Sequence, residues 1–419
     1  MAVEKVDTLV VGAGQAGVAM SEHLGKQGIS HVVLERKRIA ENWRTARWDS
    51  LVANGPAWHD RFPGLTFSDV DGDAFAPKEK VADYFVEYAE KIAAPIRCGV
   101  EVKAIENKPD GSGFRIETTD GLYEARNVVA ATGPFQRPII PPLVPETEGL
   151  LQIHSQAYRN PAQLPEGAVL VVGAGSSGTQ IADELMRSGR RVFLSVGPHH
   201  RPPRRYRGKD FVWWLGVLGV WDLKVPAPNT EHVTIAVSGA YGGQTIDFRR
   251  LAERGMNLVG MTKSFHDGVM SFASDLKANL ALGDANYLSL LDQADAYAEH
   301  EGLDFPLEPE ARVIPKDPTC VSEPILELDL RKEGVTSIVW ATGYAFDFGW
   351  LKVDAFDDRG RPIHDRGVSK VPGIYFLGLP WLSRRASSFI WGVWHDAAYV
   401  AAQIAERAPA DRLEARTGS

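Results

Sequence analysis

Cysteine is almost missing from this chain, with only Cys98 and Cys320 in 419 residues. The two stand far apart in sequence and away from any histidine pair. Neither a CxxC redox pair nor a zinc-ligand spacing can be drawn from them, and two reduced structural thiols are expected. Long apolar runs are missing too: the most apolar stretch, Val212 to Trp221, is far short of the ~20 residues that cross a bilayer. Positive net charge is lacking, since the formal charge is -8. That balance gives no field to draw in nucleic acid or an anionic membrane surface. The chain enters a β-branched run almost at once, with no charged segment leading into an apolar signal core. A soluble, cytoplasmic protein with small-molecule partners is therefore expected, with no nucleic acid and no membrane; a homodimer is left open.

Glycine, by contrast, is somewhat rich at 40 residues, and two phrases account for part of it. Val6 to Val11 is a short buried-strand pattern that runs into Gly12-Ala13-Gly14-Gln15-Ala16-Gly17. Apolar residues at helical spacing follow, and His31 to Glu35 returns as a second strand. The same plan recurs from Ala168 to Val196, where Val169 to Val172 leads into Gly173-Ala174-Gly175-Ser176-Ser177-Gly178. A lone GxGxxG is a weak signal. Here each copy follows a strand and opens a helix, which is the context that a dinucleotide turn requires. The first glycine makes the turn, the second lets a pyrophosphate approach, and the third packs helix on strand. The helix N-terminus then offers its unpaired N–H groups to the phosphates.

The copies differ at the end of the second strand. The first ends in Glu35, whose carboxylate accepts hydrogen bonds from ribose hydroxyls and repels a 2′-phosphate. The second has no acid there and runs into His199 to Arg207, with arginines at 201, 204, 205 and 207. Forked guanidinium donors suit a 2′-phosphate, although a solvated basic loop reads the same way. The first site suits FAD or NAD and the second a 2′-phosphorylated nucleotide, and FAD with NADPH explains that asymmetry better than two copies of one cofactor.

At ~150 residues per domain the length suggests two or three domains. Two strands, Val128 to Ala130 and Ile338 to Trp340, each lead into Ala-Thr-Gly, and a proline-rich connection runs from Pro138 to Pro145. The expected fold is α/β with two Rossmann-like dinucleotide-binding domains and the NADPH domain inserted into the FAD domain. Residues 1–145 and 343–419 would form the FAD domain, which includes a β-meander around 114–118. Residues 146–342 would form the NADPH domain, with a partly helical insertion at about 206–304. Trp213, Trp214 and Trp221, with Phe265 and Phe272, could wall a pocket, but core is the safer reading.

With these features and His154-Ser155-Gln156-Ala157-Tyr158-Arg159, the chain resembles the flavin-containing monooxygenases, class B flavoprotein monooxygenases related to auxin-forming and Baeyer–Villiger enzymes. The family fingerprint FxGxxxHSxxY(K/R) is intact in its second half. In its first half Glu148 replaces the aromatic residue and Leu150 stands at the glycine position, with Gly149 one place early. The resemblance implies that Asn54, closing Trp48 to Asn54, is the first candidate for a catalytic polar group beside flavin and nicotinamide. A turn asparagine before Gly55-Pro56 is the plain alternative. His154, the second candidate, is expected in the hinge between domains rather than as a base.

Implied cofactor contacts come from the first site through Gly12, Gly14, Gln15, Gly17, Glu35, Trp43, Arg44, Leu51, Val102, Thr132 and Gly133. At the second site they are Gly173, Gly175, Ser176, Ser177, Gly178, Arg201, Arg204, Arg205, Thr342 and Gly343. Trp391 and Gly392 open a last helix whose N-terminus would face the flavin. By the same resemblance, NADPH would reduce FAD, and O2 would give a flavin hydroperoxide that oxygenates a small substrate at N or S. Baeyer–Villiger oxygenation, an NADPH-dependent reductase or electron carrier, and a non-enzymatic NADPH-sensing flavoprotein are the alternatives.

Overall fold

The computed structural model describes residues 3–224 and 234–407. Residues 1–2, 225–233 and 408–419, which fall within the expected domain and insertion ranges, lie outside the described residues. The chain opens with strand β1 (Val3–Val11), helix α1 (Gln15–Lys26) and strand β2 (His31–Glu35). Strands β3 (Ile96–Cys98), β4 (Val102–Asn107), β5 (Phe114–Thr118) and β6 (Leu122–Ala130) follow. They pair in the order β4-β5-β6-β1-β2-β3. Parallel pairing puts Val10 beside Val33 on one side and Val129 on the other. Leu9, Val10, Val128 and Val129 are fully buried, as expected of strands covered on both faces. The β4-β5-β6 portion is antiparallel and supplies the meander.

The second sheet contains strand β7 (Leu151–His154), strand β8 (Ala168–Val172), helix α2 (Ser176–Arg187) and strand β9 (Val192–Ser195). Strands β10 (Asn257–Val259) and β11 (Val335–Trp340) complete it. Its order is β10-β9-β8-β11-β7, parallel throughout. The chain then returns to the first sheet as β12 (Ile374–Phe376), which pairs with the C-terminal half of β6, and ends in helix α3 (Ile390–Glu406). The two-Rossmann α/β architecture thus stands, with the second sheet lying between two parts of the first in sequence. Outgoing and returning chain run side by side at the crossing, Pro138 pairing with Tyr344 in antiparallel fashion.

One expectation is corrected. Residues 206–304 are not one continuous insertion, because β10 within them is an edge strand of the second sheet. Three residues are too short a run to stand out from sequence. The rest of this stretch includes a short helix (Phe211–Val217), a hairpin (Thr262–His266 with Val269–Phe272) and a long helix (Leu276–His300). Trp214, Trp221 and Phe272 are buried in cores here. Among the described residues no helix is long and apolar enough to cross a membrane. Both cysteines are free, Cys98 on the surface and Cys320 half-buried.

Candidate active site

The two glycine turns are built alike. Gly12 and Gly173 have φ of +102° and +104°, where an L side chain is strained. A Cβ on Gly12 would meet the Ala131 carbonyl oxygen at 2.9 Å, and one on Gly173 the Ala341 oxygen at 2.6 Å. Each turn therefore packs against the Ala-Thr-Gly phrase of its own sheet. A Cβ on Gly17 or Gly178 would lie 1.8 Å from the Gly12 or Gly173 oxygen, so only glycine lets the helix sit on its own turn. Helices α1 and α2 both start from a glycine N-cap with no side-chain cap and no acid in the first turn. Their first N–H groups are thus left for an anion.

At the first turn, a Cβ on Gly14 would have nothing within 4 Å, the clearance a pyrophosphate needs. Glu35 stands at the rim, its carboxylate accepting from the Ala13 and Lys37 backbone N–H groups, both at 2.9 Å. Gln15 Nε2 donates to the Ser388 carbonyl at 2.8 Å, which ties the start of α1 to the residues just before α3. In the first turn of α3, a Cβ on Gly392 would lie 1.8 Å from the Ala386 oxygen, and Trp391 is half-buried beside it. Gln136 Nε2 donates to Thr132 Oγ1 at 3.0 Å and to the Gly133 carbonyl at 2.8 Å. Trp43 packs against the cores of both sheets, whereas Leu51 is buried in the second. Arg44 is paired with Asp83 at 2.8 Å, and Val102 packs against the first core at the start of β4.

Asn54 lies where the two units meet. Its Oδ1 accepts from Gln180 Nε2 of α2 at 3.0 Å, and its backbone oxygen accepts from Arg204 Nη1 at 2.7 Å. Its Nδ2 has no protein partner among the described residues, so the amide N–H2 is an unengaged donor. The intact half of the fingerprint braces this junction. His154 Nε2 donates to the Gly343 carbonyl at 3.0 Å, while its Nδ1 accepts from the Gln156 N–H at 3.1 Å. Both ring nitrogens are thus engaged, and burial lowers the pKa of the ring, so a neutral hinge histidine is what the geometry supports. Tyr158 donates to Glu184 at 2.6 Å, and Ser50 donates to the other oxygen of the same carboxylate at 2.6 Å. Arg159 donates to the Thr45 carbonyl, and its own carbonyl accepts from Asp49 N at 2.8 Å.

The arginine expectation needs correction. Arg201, Arg204 and Arg207 are buried and bound to aspartates of their own unit. Arg201 pairs with Asp284 at 2.7 Å, Arg204 with Asp210, and Arg207 with Asp295 at 3.2 Å. Desolvation of a guanidinium is tolerated only with such partners; Asp210 is six residues from Arg204, whereas Asp284 and Asp295 lie 83 and 88 residues from theirs. Arg205 alone of the four is exposed, with one bond to the Gly242 carbonyl at 3.2 Å. The second turn is also more covered than the first. A Cβ on Gly175 would meet Thr234 at 3.4 Å, and Ser176 Oγ donates to the Ile235 carbonyl at 2.8 Å. Ser177 and Gly178 continue the helix start, and Thr342 Oγ1 donates to the Ile139 carbonyl at the crossing.

Sequence reading missed Gln180 and Glu184, which hold Asn54 and the fingerprint tyrosine. Their i, i+4 spacing on one face of α2 was the available signal. It also missed His59 and Asp60, which fold back onto the Asn54 turn. Asp60 accepts from the Gly55 N–H at 2.9 Å.

A family model described as pyridine nucleotide-disulphide oxidoreductase matches residues 9–212. A CzcO-like oxidoreductase of Geobacillus kaustophilus is 34% identical over 400 residues, 94% of this chain and 97% of its own. The indole-3-pyruvate monooxygenase YUCCA1 of Oryza sativa is 29% identical over 392 residues, covering 88% and 86%. Among solved structures, the flavin-containing monooxygenase from Stenotrophomonas maltophilia aligns with a TM-score of 0.67 at 19% identity. That alignment covers 96% of this chain and 99% of that one, and it establishes likeness of fold.

Proposed function

We propose, from the premise that the chain belongs to the CzcO-like oxidoreductases, that it is an FAD-dependent, NADPH-using monooxygenase acting on a small organic substrate at N or S. The observation that carries this reading is the position of Asn54. It is held by Gln180 and Arg204 of the second unit on the segment that leaves the first, with its amide N–H2 end unengaged. A neutral donor at that junction can orient a cofactor without adding charge. The first turn fits FAD: the space at Gly14 takes a pyrophosphate, the α1 N-terminus faces it, and Glu35 suits a plain ribose. The second turn fits a dinucleotide by the same glycine geometry. Its 2′-phosphate partner narrows to Arg205, since the other arginines are bound to aspartates. Residues 1–145 and 343–419 are assigned to the FAD part and 146–342 to the NADPH part.

Held by the turn at residues 12–17, Glu35 and the start of α1, FAD would supply hydride acceptance and oxygen chemistry, while the protein's residues would supply position. The N-terminal end of α3, tied to α1 through Gln15 and Ser388, sets a partial positive charge beside the first site. His154, Tyr158 and Arg159 fix the crossing and the 45–50 segment, which holds the Asn54 segment against the second unit.

The test is stoichiometry with the FAD-loaded protein. With an accepted amine or sulfide, NADPH and O2 should disappear in equal amounts and peroxide release should fall as substrate rises. Peroxide formation equal to NADPH consumption with every substrate would refute oxygenation. Reduction of a one-electron acceptor without O2 uptake would instead identify a reductase.

A further inference from the structure

The turn that carries Asn54 and Gly55 continues into His59 and Asp60. His59 Nδ1 lies 2.7 Å from Asp60 Oδ1, while Asp60 Oδ2 accepts from the Gly55 N–H at 2.9 Å. A carboxylate can only accept, so Nδ1 carries a proton, and in the neutral ring Nε2 is a lone-pair acceptor. The His59 side chain is only 9% exposed, and its Nε2 is buried with no hydrogen-bond partner among the described residues. Leaving a buried acceptor unmet costs ~1–3 kcal/mol. A fold that uses a carboxylate to aim such an atom suits a donor arriving from elsewhere.

The surroundings say what kind of molecule carries that donor. The ring of Trp221 lies 5.6 Å from that of His59 and the ring of Trp391 lies 6.3 Å away, each inclined by only 25°. Trp58 closes an edge at 5.6 Å, and Phe389 sits 5.2 Å from Trp221. Three distant parts of the chain meet here: the Asn54 turn, the segment after the short Phe211–Val217 helix, and the first turn of α3. Near-parallel aromatic planes favour a flat ring, and an imidazole lone pair at its edge selects an N–H or O–H group. We propose that His59, oriented by Asp60, forms the polar end of an aromatic substrate pocket and accepts a hydrogen bond from a neutral N–H or O–H of a flat aromatic substrate. This rests on the reading above for where the cofactor-facing cleft lies.

Equilibrium dialysis of the FAD-loaded, NADPH-free protein at neutral pH tests it, with 2-naphthol and 2-methoxynaphthalene as probes. The wild type should hold the naphthol roughly tenfold tighter than its methyl ether, the ratio that one buried hydrogen bond supplies. In His59→Phe the two affinities should come within about twofold, with the ether held as before; His59→Gln should restore part of the ratio. Asp60→Asn keeps the ring and lets an amide N–H2 donate to Nδ1, which moves the ring proton to Nε2. The naphthol preference should fall there too, which covers the case of a poorly folding His59 variant. An unchanged preference in His59→Phe and Asp60→Asn, or no binding of either probe by the wild type, would overturn the proposal. Dialysis needs neither NADPH nor O2, so its failure is distinct from failure of the stoichiometry test.

Discussion

Four arginines within seven residues look alike in a sequence, yet the fold assigns them opposite tasks. Arg201 is 3% exposed, bound to Asp284, 3.7 Å from Asp247 and stacked over Tyr287 at 4.5 Å. Arg205 is on the surface. Arg201→Ala should therefore destabilise the protein by about 1–3 kcal/mol, less than a fully stranded buried pair costs, because Arg249 remains 2.8 Å from Asp284. Arg205→Ala should leave the melting temperature nearly unchanged, as surface changes typically do. It should instead weaken NADPH relative to NADH by roughly tenfold, the worth of a charge-assisted hydrogen bond. Thermal unfolding separates the first effect, and KM for the two nucleotides reads the second. Equal KM ratios in Arg205→Ala and wild type would remove Arg205 from the phosphate site. The arginine motif gave the type of chemistry but not its allocation, because two of the three aspartates that bind its members lie 83 and 88 residues away. For the same reason Glu35 was readable: its partners, Ala13 and Lys37, are local to one turn and strand.

At the scale of elements, the strand–turn–helix units were the most legible part of the molecule. Their signal is local, since each glycine answers to backbone atoms a few residues away or to the next strand. That makes the glycines of α1 unequal. Gly17 sits on the Gly12 carbonyl, whereas a Cβ on Gly25 in the last turn of the same helix would meet nothing within 4 Å. Gly25→Ala should stabilise the protein by ~0.5–1 kcal/mol through helix propensity alone. Gly17→Ala should push α1 off its turn, lowering both stability and retained FAD; Gly178→Ala should do the same for α2 while sparing FAD. Calorimetry and the bound flavin per chain after gel filtration check the set. Equal FAD retention in Gly17→Ala and Gly178→Ala would contradict the assignment of FAD to the first turn. Elements whose partners are remote were not legible. The three-residue strand β10 belongs to its sheet only because β9 is there to pair with it. His59 acquires meaning only when Trp221 and Trp391 fold around it.

Over the whole molecule, burial has been applied to histidine with one sign. His23 lies edge-on to Trp394 at 4.5 Å where α1 meets α3, and desolvation lowers its pKa to about 4. His199 stands in the second unit against Phe248 at 4.4 Å, donates from Nδ1 to the Gly197 carbonyl, and is likewise lowered to about 4 by burial. Burial also lowers His31, His154, His364 and His395. In the unfolded chain these rings protonate near pH 6.5, while in the fold they stay neutral, so the unfolded state binds more protons below that pH. Stability should be whole above about pH 6.5, fall as the pH drops, and flatten for His23 and His199 below about 4. Each of these two should withdraw about 1.4 kcal/mol per pH unit within the window. Because one sits in each Rossmann unit, acid should loosen both together rather than release one first. Urea midpoints from pH 8 to pH 4, read by tryptophan fluorescence and by flavin release, test this. His23→Leu keeps an apolar ring-sized filler against Trp394 without a proton site, and it should flatten the acid limb by about one histidine's share. An acid limb as steep in His23→Leu as in wild type would show that the loss of stability comes from other groups.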